Sequence, residues 1–310
     1  MTANPQAELL SANTRLARLE ASVIEELRVL RERRLEPGLY LVATPIGHLG
    51  DITLRALVTI AAADYVFAED TRHSRKLLDR YGIGRPLSTL HEHNEIGAAA
   101  GIAEAIGRGQ SIALISDAGT PLVSDPGFKL VRELTAKGMP VHVVPGASAV
   151  TAALSIAGMP TDCFTFAGFL PAKPGQRADR ISRLKNAPGT LLFFESPARL
   201  AESLEAMLAG LGDRPAVVVR ELTKMHEARR QGRLSELVAF AKKAEIKGEI
   251  VIVVGTAERT GTSEADIATA LTSRLQTLSL RDAVTEVAAE TGMPRKEVYR
   301  IAVGLKENEE

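Results

Sequence analysis

Apolar positions along this chain follow two alternating rhythms. Short apolar runs recur at 39–43, 65–68, 87–90, 112–115 and 141–144. Between them, 54–62, 74–81, 97–107 and 128–137 carry apolar residues at helical spacing. Runs of that length bounded by turn residues read as buried strands, and strand–helix alternation predicts a mainly parallel sheet with helices on its faces. Pro145-Gly146-Ala147-Ser148 ends the fifth run, and Ser148 stands where it can cap a helix through Ile156. A second alternating stretch has strand patterns at 164–169, 190–194, 216–220 and 249–255, with helical patterns at 177–185, 199–209 and 235–243. The segment from Leu170 to Arg177 reads as a basic loop bearing Pro and Gly.

The two ends differ from this body. Leu16, Leu19, Val23, Leu27 and Leu30 fall at helical spacing between charged residues, which predicts a solvated amphipathic extension before Pro37-Gly38. After a polar linker at 257–263 come helical patterns at 264–275, 280–290 and 295–303. The last two flank Thr291-Gly292-Met293-Pro294, a helix-turn-helix pattern that serves either nucleic-acid contact or packing. The expected organisation is an extension over 1–36, α/β domains over 37–158 and 159–257, and a helical module over 263–305.

Composition narrows the function. Lys and Arg together number 38, as do Asp and Glu, so no chain-wide electrostatic footprint for nucleic acid exists, although a local patch is compatible. Trp is absent and aromatics make up 4%, which argues against a base-stacking sheet platform. Cys163 is the single cysteine, which excludes a disulfide framework and a cysteine-built zinc site. Neither a signal peptide nor a membrane-length apolar run is evident, and the expectation is a cytoplasmic protein.

Two loops concentrate the candidate chemistry. Thr44-Pro45-Ile46-Gly47-His48-Leu49-Gly50-Asp51 follows the first apolar run, and the segment from Ser116 through Asp117, Gly119 and Thr120 to Asp125-Pro126-Gly127 follows the fourth. Small residues directly after strands allow a ligand close to the backbone, and parallel sheets bind ligands at the carboxyl ends of their strands. The first loop lacks G-x-G-x-x-G spacing and no phosphate-loop motif is present, which leaves a nicotinamide enzyme poorly supported even with Asp70 downstream. His91 and His93 have metal-like spacing without a third ligand, so no metal is expected.

Taken in order, the segments Thr44-Pro45-Ile46-Gly47 with Gly50-Asp51-Ile52-Thr53, Glu69-Asp70-Thr71-Arg72, His91-Glu92-His93-Asn94-Glu95, Ser116-Asp117-Ala118-Gly119-Thr120-Pro121 with Ser124-Asp125-Pro126-Gly127, Pro145-Gly146-Ala147-Ser148, Phe193-Phe194-Glu195-Ser196-Pro197-Ala198-Arg199, Arg220-Glu221-Leu222-Thr223-Lys224-Met225-His226-Glu227 and Lys247-Gly248-Glu249-Ile250 resemble the tetrapyrrole (precorrin-type) methylase superfamily. They are most similar to its ribosomal branch, the small-subunit rRNA 2′-O-methyltransferase I family. The resemblance implies two α/β domains with S-adenosylmethionine between them, a homodimer, and methylation of a cytidine ribose in the decoding region of 16S rRNA within the small ribosomal subunit. It places Ile46, Gly47, Asp117, Gly119, Thr120, Ser148, Ala149 and Phe194 around the methyl donor. A general base would assist a ribose hydroxyl, and Asp70, His93, Glu195, Glu221, Lys224 and His226 all qualify. For RNA the basic candidates are Arg72, Arg75, Lys76, Lys173, Arg177 and Arg199, with Arg229 and Arg230 as further ones. A small-tetrapyrrole methylase and a ligand-sensing nucleic-acid-binding regulator are the competing readings.

Overall fold

The computed structural model describes residues 5–91, 94–256, 264–291 and 293–307. His93 lies outside the described residues. The chain forms two compact units, 1–256 and 257–310.

The first unit holds two five-stranded sheets. In the first, β1 (Gly38–Val42), β2 (Tyr65–Ala68), β3 (Leu87–Thr89), β4 (Ser111–Ile115) and β5 (Val141–Val144) lie in the order β3-β2-β4-β1-β5. Every pairing is parallel, as the alternation predicts. Side-chain alternation sends Tyr40, Val42, Val66, Ala113 and Ile115 to one face, against α2 (Leu54–Ala62) and α3 (Thr71–Arg80). Leu39, Ile112 and Leu114 face α4 (Glu95–Gly107) and α5 (Phe128–Ala136) on the other. The adjacent strands β1 and β4 thus send their following helices to opposite faces. Their carboxyl ends form a topological switch point, where an open α/β sheet leaves a crevice.

The second sheet is mixed. Its strands β6 (Phe164–Phe169), β7 (Thr190–Glu195), β8 (Pro215–Arg220), β9 (Ala228–Arg233) and β10 (Ile250–Val254) lie in the order β6-β7-β10-β8-β9. Only β6 and β7 run parallel; β10 is antiparallel to both neighbours, which sets its first residues beside the last residues of β7 and β8. One face packs on α7 (Pro174–Leu184), α8 (Leu200–Leu211) and α9 (Leu234–Lys243). The other is covered by α6 (Ala149–Ala157), whose Val150, Ala153 and Leu154 meet Leu192, Val217, Val219 and Val253. By packing, α6 joins the second sheet although it follows the last strand of the first.

Three expectations need correction. Strand β9 is absent from the sequence reading, since its Arg229, Arg230, Gln231 and Arg233 show no apolar alternation. The basic loop ends at Lys173, because Pro174 opens α7, where its missing N–H costs nothing. Ser148 stands at the N-cap of α6 without a side-chain capping bond.

The extension is a helix, α1 (Pro5–Glu32), with Leu16 and Leu19 exposed and Val23, Leu27 and Leu30 half-buried. The second unit packs α10 (Glu264–Leu275), α11 (Leu280–Thr291) and α12 (Arg295–Glu307) around Leu271, Val284, Val287, Val298 and Ala302. No helix among the described residues is long and apolar enough to cross a membrane.

Candidate active site

The loops after β1 and β4 are joined through their backbones. Thr44 and Gly119 exchange both hydrogen bonds, with Thr44 N–H to Gly119 O at 2.9 Å and Gly119 N–H to Thr44 O at 3.1 Å. The Thr44 hydroxyl donates to Ser116 O at 2.9 Å, and the Ser116 hydroxyl donates to Gly119 O at 2.6 Å. Gly119 sits at φ 84°, a conformation that costs glycine little, and an added Cβ there would lie 3.2 Å from Ile46. Its N–H is committed to Thr44 and is not a free donor for a ligand.

From the second sheet, residues 221–227 close over the first loop. A Cβ on Gly47 would fall 2.6 Å from Lys224 Cγ, 2.7 Å from Thr223 Oγ1 and 2.8 Å from Leu222 O. The His48 N–H donates to Thr223 Oγ1 at 3.0 Å. Among the described residues, four that are not glycine take positive φ, Leu122, Ser124, Glu221 and Thr223, and all lie in the loops that frame this cleft. Such conformations persist only where surrounding contacts hold them, and they cluster at functional sites.

Two cavities meet between the sheets, sharing Ile46, Ala118 and Glu249. The first, about 250 Å³, is walled by Val123, Phe169, Phe194, Val219, Leu222 and Val251, with Ser124 and Asp125 at one side. Phe169 reaches it because β6 breaks register after Phe166, with Gly168 at φ 68°. The ring then packs edge-on against Phe194, centroids 5.6 Å apart. The second cavity, about 230 Å³, is bounded by Pro45, Gly47, His73, Ser74, Lys76, Ser116, Asp117 and Lys224.

Acidic groups gather where the loops converge. Asp125 Oδ2 is buried with no hydrogen-bond partner among the described residues. Burial, then the Glu69 and Asp117 carboxylates, pushes Asp125 up to about 7. Partial desolvation and the same neighbourhood raise Glu69 at the end of β2. Asp117 Oδ1 accepts the Asp70 N–H at 3.0 Å, tying the loop after β4 to the start of α3. The Ser74 hydroxyl, on the second cavity, is likewise buried and unpartnered among the described residues.

The base candidates separate clearly. Hydrogen bonds from the Arg72 side chain and N–H hold Asp70 down to about 2, leaving a poor proton acceptor. Glu195 is buried and used structurally, accepting from Ser196 N–H at 2.8 Å and from the Ser203 hydroxyl. Glu221 is lowered by the Glu249 N–H and by Lys224, whose Nζ stands 2.9 Å from Glu221 and 3.2 Å from Glu249. His226 is exposed in the 221–227 turn, away from both cavity linings.

Of the donor-site residues expected from sequence, Ile46, Gly47, Asp117, Ala149 and Phe194 line the cavities. Gly119 supports them from behind, the Thr120 hydroxyl donates to Ala147 O at 3.3 Å, and Ser148 borders neither cavity. Among the basic candidates, Lys76 lines the second cavity, Arg72 is exposed beside Asp70, Arg75 is half-buried on α3, and Lys173 is exposed. Arg177 is 6% exposed and pairs with Glu202 at 3.2 Å; it is part of the α7–α8 packing and does not face solvent. Arg199 is half-buried, bonding Leu170 O and standing 3.6 Å from Glu195. Sequence reasoning missed Asp125, Glu69, Phe169, Val219, Leu222 and Val251 as site residues. Asp125 and Glu69 stand inside motifs already singled out, but burial, which gives them their chemistry, has no signature in the sequence.

A family model described as tetrapyrrole (corrin/porphyrin) methylases matches residues 38–238, and one described as the RsmI C-terminal HTH domain matches 261–306. A ribosomal RNA small subunit methyltransferase I of Mesorhizobium japonicum is 53% identical over 277 residues, covering 89% of this chain and 94% of that protein. The protein of that name from Xylella fastidiosa is 46% identical over 273 residues, covering 85% and 98%. Among solved structures, diphthine synthase superposes with a TM-score of 0.56 at 18% identity, over 70% of this chain and 89% of that one, which is a likeness of fold. With its cleft at a switch point between two sheets, and with relatives matched over most of their length, the chain belongs to the ribosomal RNA small subunit methyltransferase I family of the tetrapyrrole methylases.

Proposed function

We propose that this protein transfers a methyl group from S-adenosylmethionine to the ribose 2′-hydroxyl of a cytidine in the decoding region of 16S rRNA. The acceptor is RNA within the assembled small subunit, and the enzyme acts as a cytoplasmic homodimer. The observation that carries the reading is one cleft that joins an apolar cavity to a cluster of carboxylates, one of which buries an oxygen with no hydrogen-bond partner among the described residues. A ligand with an apolar face and positive charge matches both halves.

The residues fit such a donor. Ile46, Phe169, Phe194, Val219, Leu222 and Val251 offer the apolar slot an adenine ring requires. Asp117 and Asp125 supply negative charge toward an ammonium and a sulfonium, and Asp125 Oδ2 gains a partner that it lacks among the described residues. When bound, the sulfonium supplies an electrophilic methyl group whose charge disperses on transfer, so positioning and exclusion of water carry much of the work. The chain's own contribution to that exclusion is the 221–227 turn, locked over the first loop by the His48–Thr223 bond and by Lys224 between Glu221 and Glu249. Asp125, pushed up to about 7 by burial and by the Glu69 and Asp117 carboxylates, is suited to hold or release a proton in the cleft. Lys76 stands on the wall of the second cavity, where a phosphate approaching the cleft would meet it.

The test is transfer of labelled methyl from S-adenosylmethionine to three acceptors: small subunits lacking the modification, naked 16S rRNA and a precorrin. Label on subunits above the other two is expected. Label confined to the tetrapyrrole would overturn the proposal.

A further inference from the structure

The helical second unit carries a groove of its own. It lies between α11 and α12, about 500 Å³ in volume, and is lined by Leu280, Arg281, Val284, Arg295, Lys296 and Tyr299. Its floor is apolar and its rim basic. Tyr299 is 51% exposed, an aromatic ring left open beside three cations.

The charges of this unit are sorted, although its composition is balanced. Arg274 pairs with Glu286 and Glu290, and Arg300 pairs with Glu264 at 2.8 Å. Asp282 is engaged by the Ser279 hydroxyl at 2.6 Å. Glu297 follows Lys296 on α12, but helical geometry turns it well away from the side shared by Arg295 and Tyr299. Arg281, Arg295 and Lys296 pair with no carboxylate among the described residues. Arg295 is held in place all the same, since its Nη2 donates to Thr285 Oγ1 at 2.6 Å, from α12 across to α11. Cations without a carboxylate partner among the described residues, spaced around an open aromatic ring, suit a ligand that is anionic along its backbone and flat at its centre.

The geometry points to this groove as a docking site for an unpaired nucleotide of the RNA substrate, its base stacked on Tyr299 and its flanking phosphates on Arg281, Arg295 and Lys296. Helix-turn-helix readers present the first turns of the second helix, here Arg295 to Tyr299, to nucleic acid. The deep, narrow major groove of A-form RNA excludes a helix, whereas splayed bases stack readily on aromatic rings beside Arg and Lys. The inference rests on the proposed RNA substrate, but it is read out by binding alone and not by methyl transfer.

The experiment titrates full-length protein into a fluorescently labelled single-stranded 16S rRNA fragment, following anisotropy over a range of salt. Tyr299→Ala is expected to weaken binding at least about fivefold, and Tyr299→Phe to retain it, because stacking needs the ring and not the hydroxyl. Arg281→Gln combined with Lys296→Gln is expected to lower the salt slope by about 1.4, two phosphate contacts on a single strand. Helical circular dichroism and S-adenosylmethionine affinity stay at wild-type values in each variant. Wild-type binding by the Ala and Gln variants, or no binding of the fragment by the unmodified protein, would overturn the assignment. So would unchanged binding of naked RNA with lost binding of intact subunits, which would make the groove a protein contact. A wild-type protein that methylates only a tetrapyrrole would sink the proposed function and leave these binding results to be read separately.

Discussion

Asp125 is the residue whose chemistry depends most on its surroundings. Its folded value of about 7 lies above the ordinary 3.8, so between those values the folded protein holds a proton that the unfolded chain has released. The stability this contributes is complete below 3.8 and lost as pH rises through about 7. A bound cation reverses the preference by favouring the carboxylate. Affinity for S-adenosylmethionine should therefore climb between about pH 6 and pH 8, and Asp125→Asn should flatten that rise. Calorimetric titrations across that window check it; an Asn variant that keeps the full pH dependence would contradict the assignment. Asp117 tests the other carboxylate. Asp117→Ala removes the acceptor for the Asp70 N–H and should cost about 1 kcal/mol in folding stability. Its effect on donor affinity should be larger, about tenfold, or 1.4 kcal/mol. A folded variant with unchanged affinity would remove Asp117 from the site.

The loops after β1 and β4 and the 221–227 turn act as a unit at the next scale. Gly47 is where they touch, and Gly47→Ala sets a methyl group against Leu222 O and Thr223 Oγ1. Overpacking of this kind costs about 1–3 kcal/mol, and donor binding should fall with it, since the same contact closes the cleft. Thermal unfolding and titration of one sample measure both effects; loss of stability with intact binding would separate the contact from the site. Strands 65–68, 141–144 and 164–169 were legible from the chain with their observed bounds, because each is an apolar run between turn residues. Strand β9 was not, because it is an edge strand specified by pairing to β8 and carries Arg229, Arg230 and Arg233 instead of an apolar pattern. Pro174 misled for a related reason, as one residue both breaks helices and begins them. Of the cleft, the half built from consecutive residues after β1 and β4 was legible. The half supplied by Phe169, Val219, Leu222 and Val251 was not, since it exists only through the antiparallel register of β10 and the irregularity in β6.

At the scale of the molecule, a donor cleft and an acceptor-binding surface fall in different compact units. The first unit brings two sheets together so that the carboxyl ends of β1 and β4 face the ends of β7 and β8, and it contains every residue assigned to the methyl donor. The second unit carries a basic, aromatic groove within three packed helices. A net charge of zero is compatible with an RNA substrate where basic residues gather locally, as in this groove, while others, such as Arg177 and Arg274, pair within the fold. The most direct test of the whole account is the chemical position of the transferred methyl group. Small subunits incubated with the protein and S-adenosylmethionine, digested to nucleosides and analysed by mass spectrometry, should yield 2′-O-methylcytidine from the decoding region of 16S rRNA, with the added mass on the ribose fragment. A methyl group on the base, or none in the RNA, would contradict it.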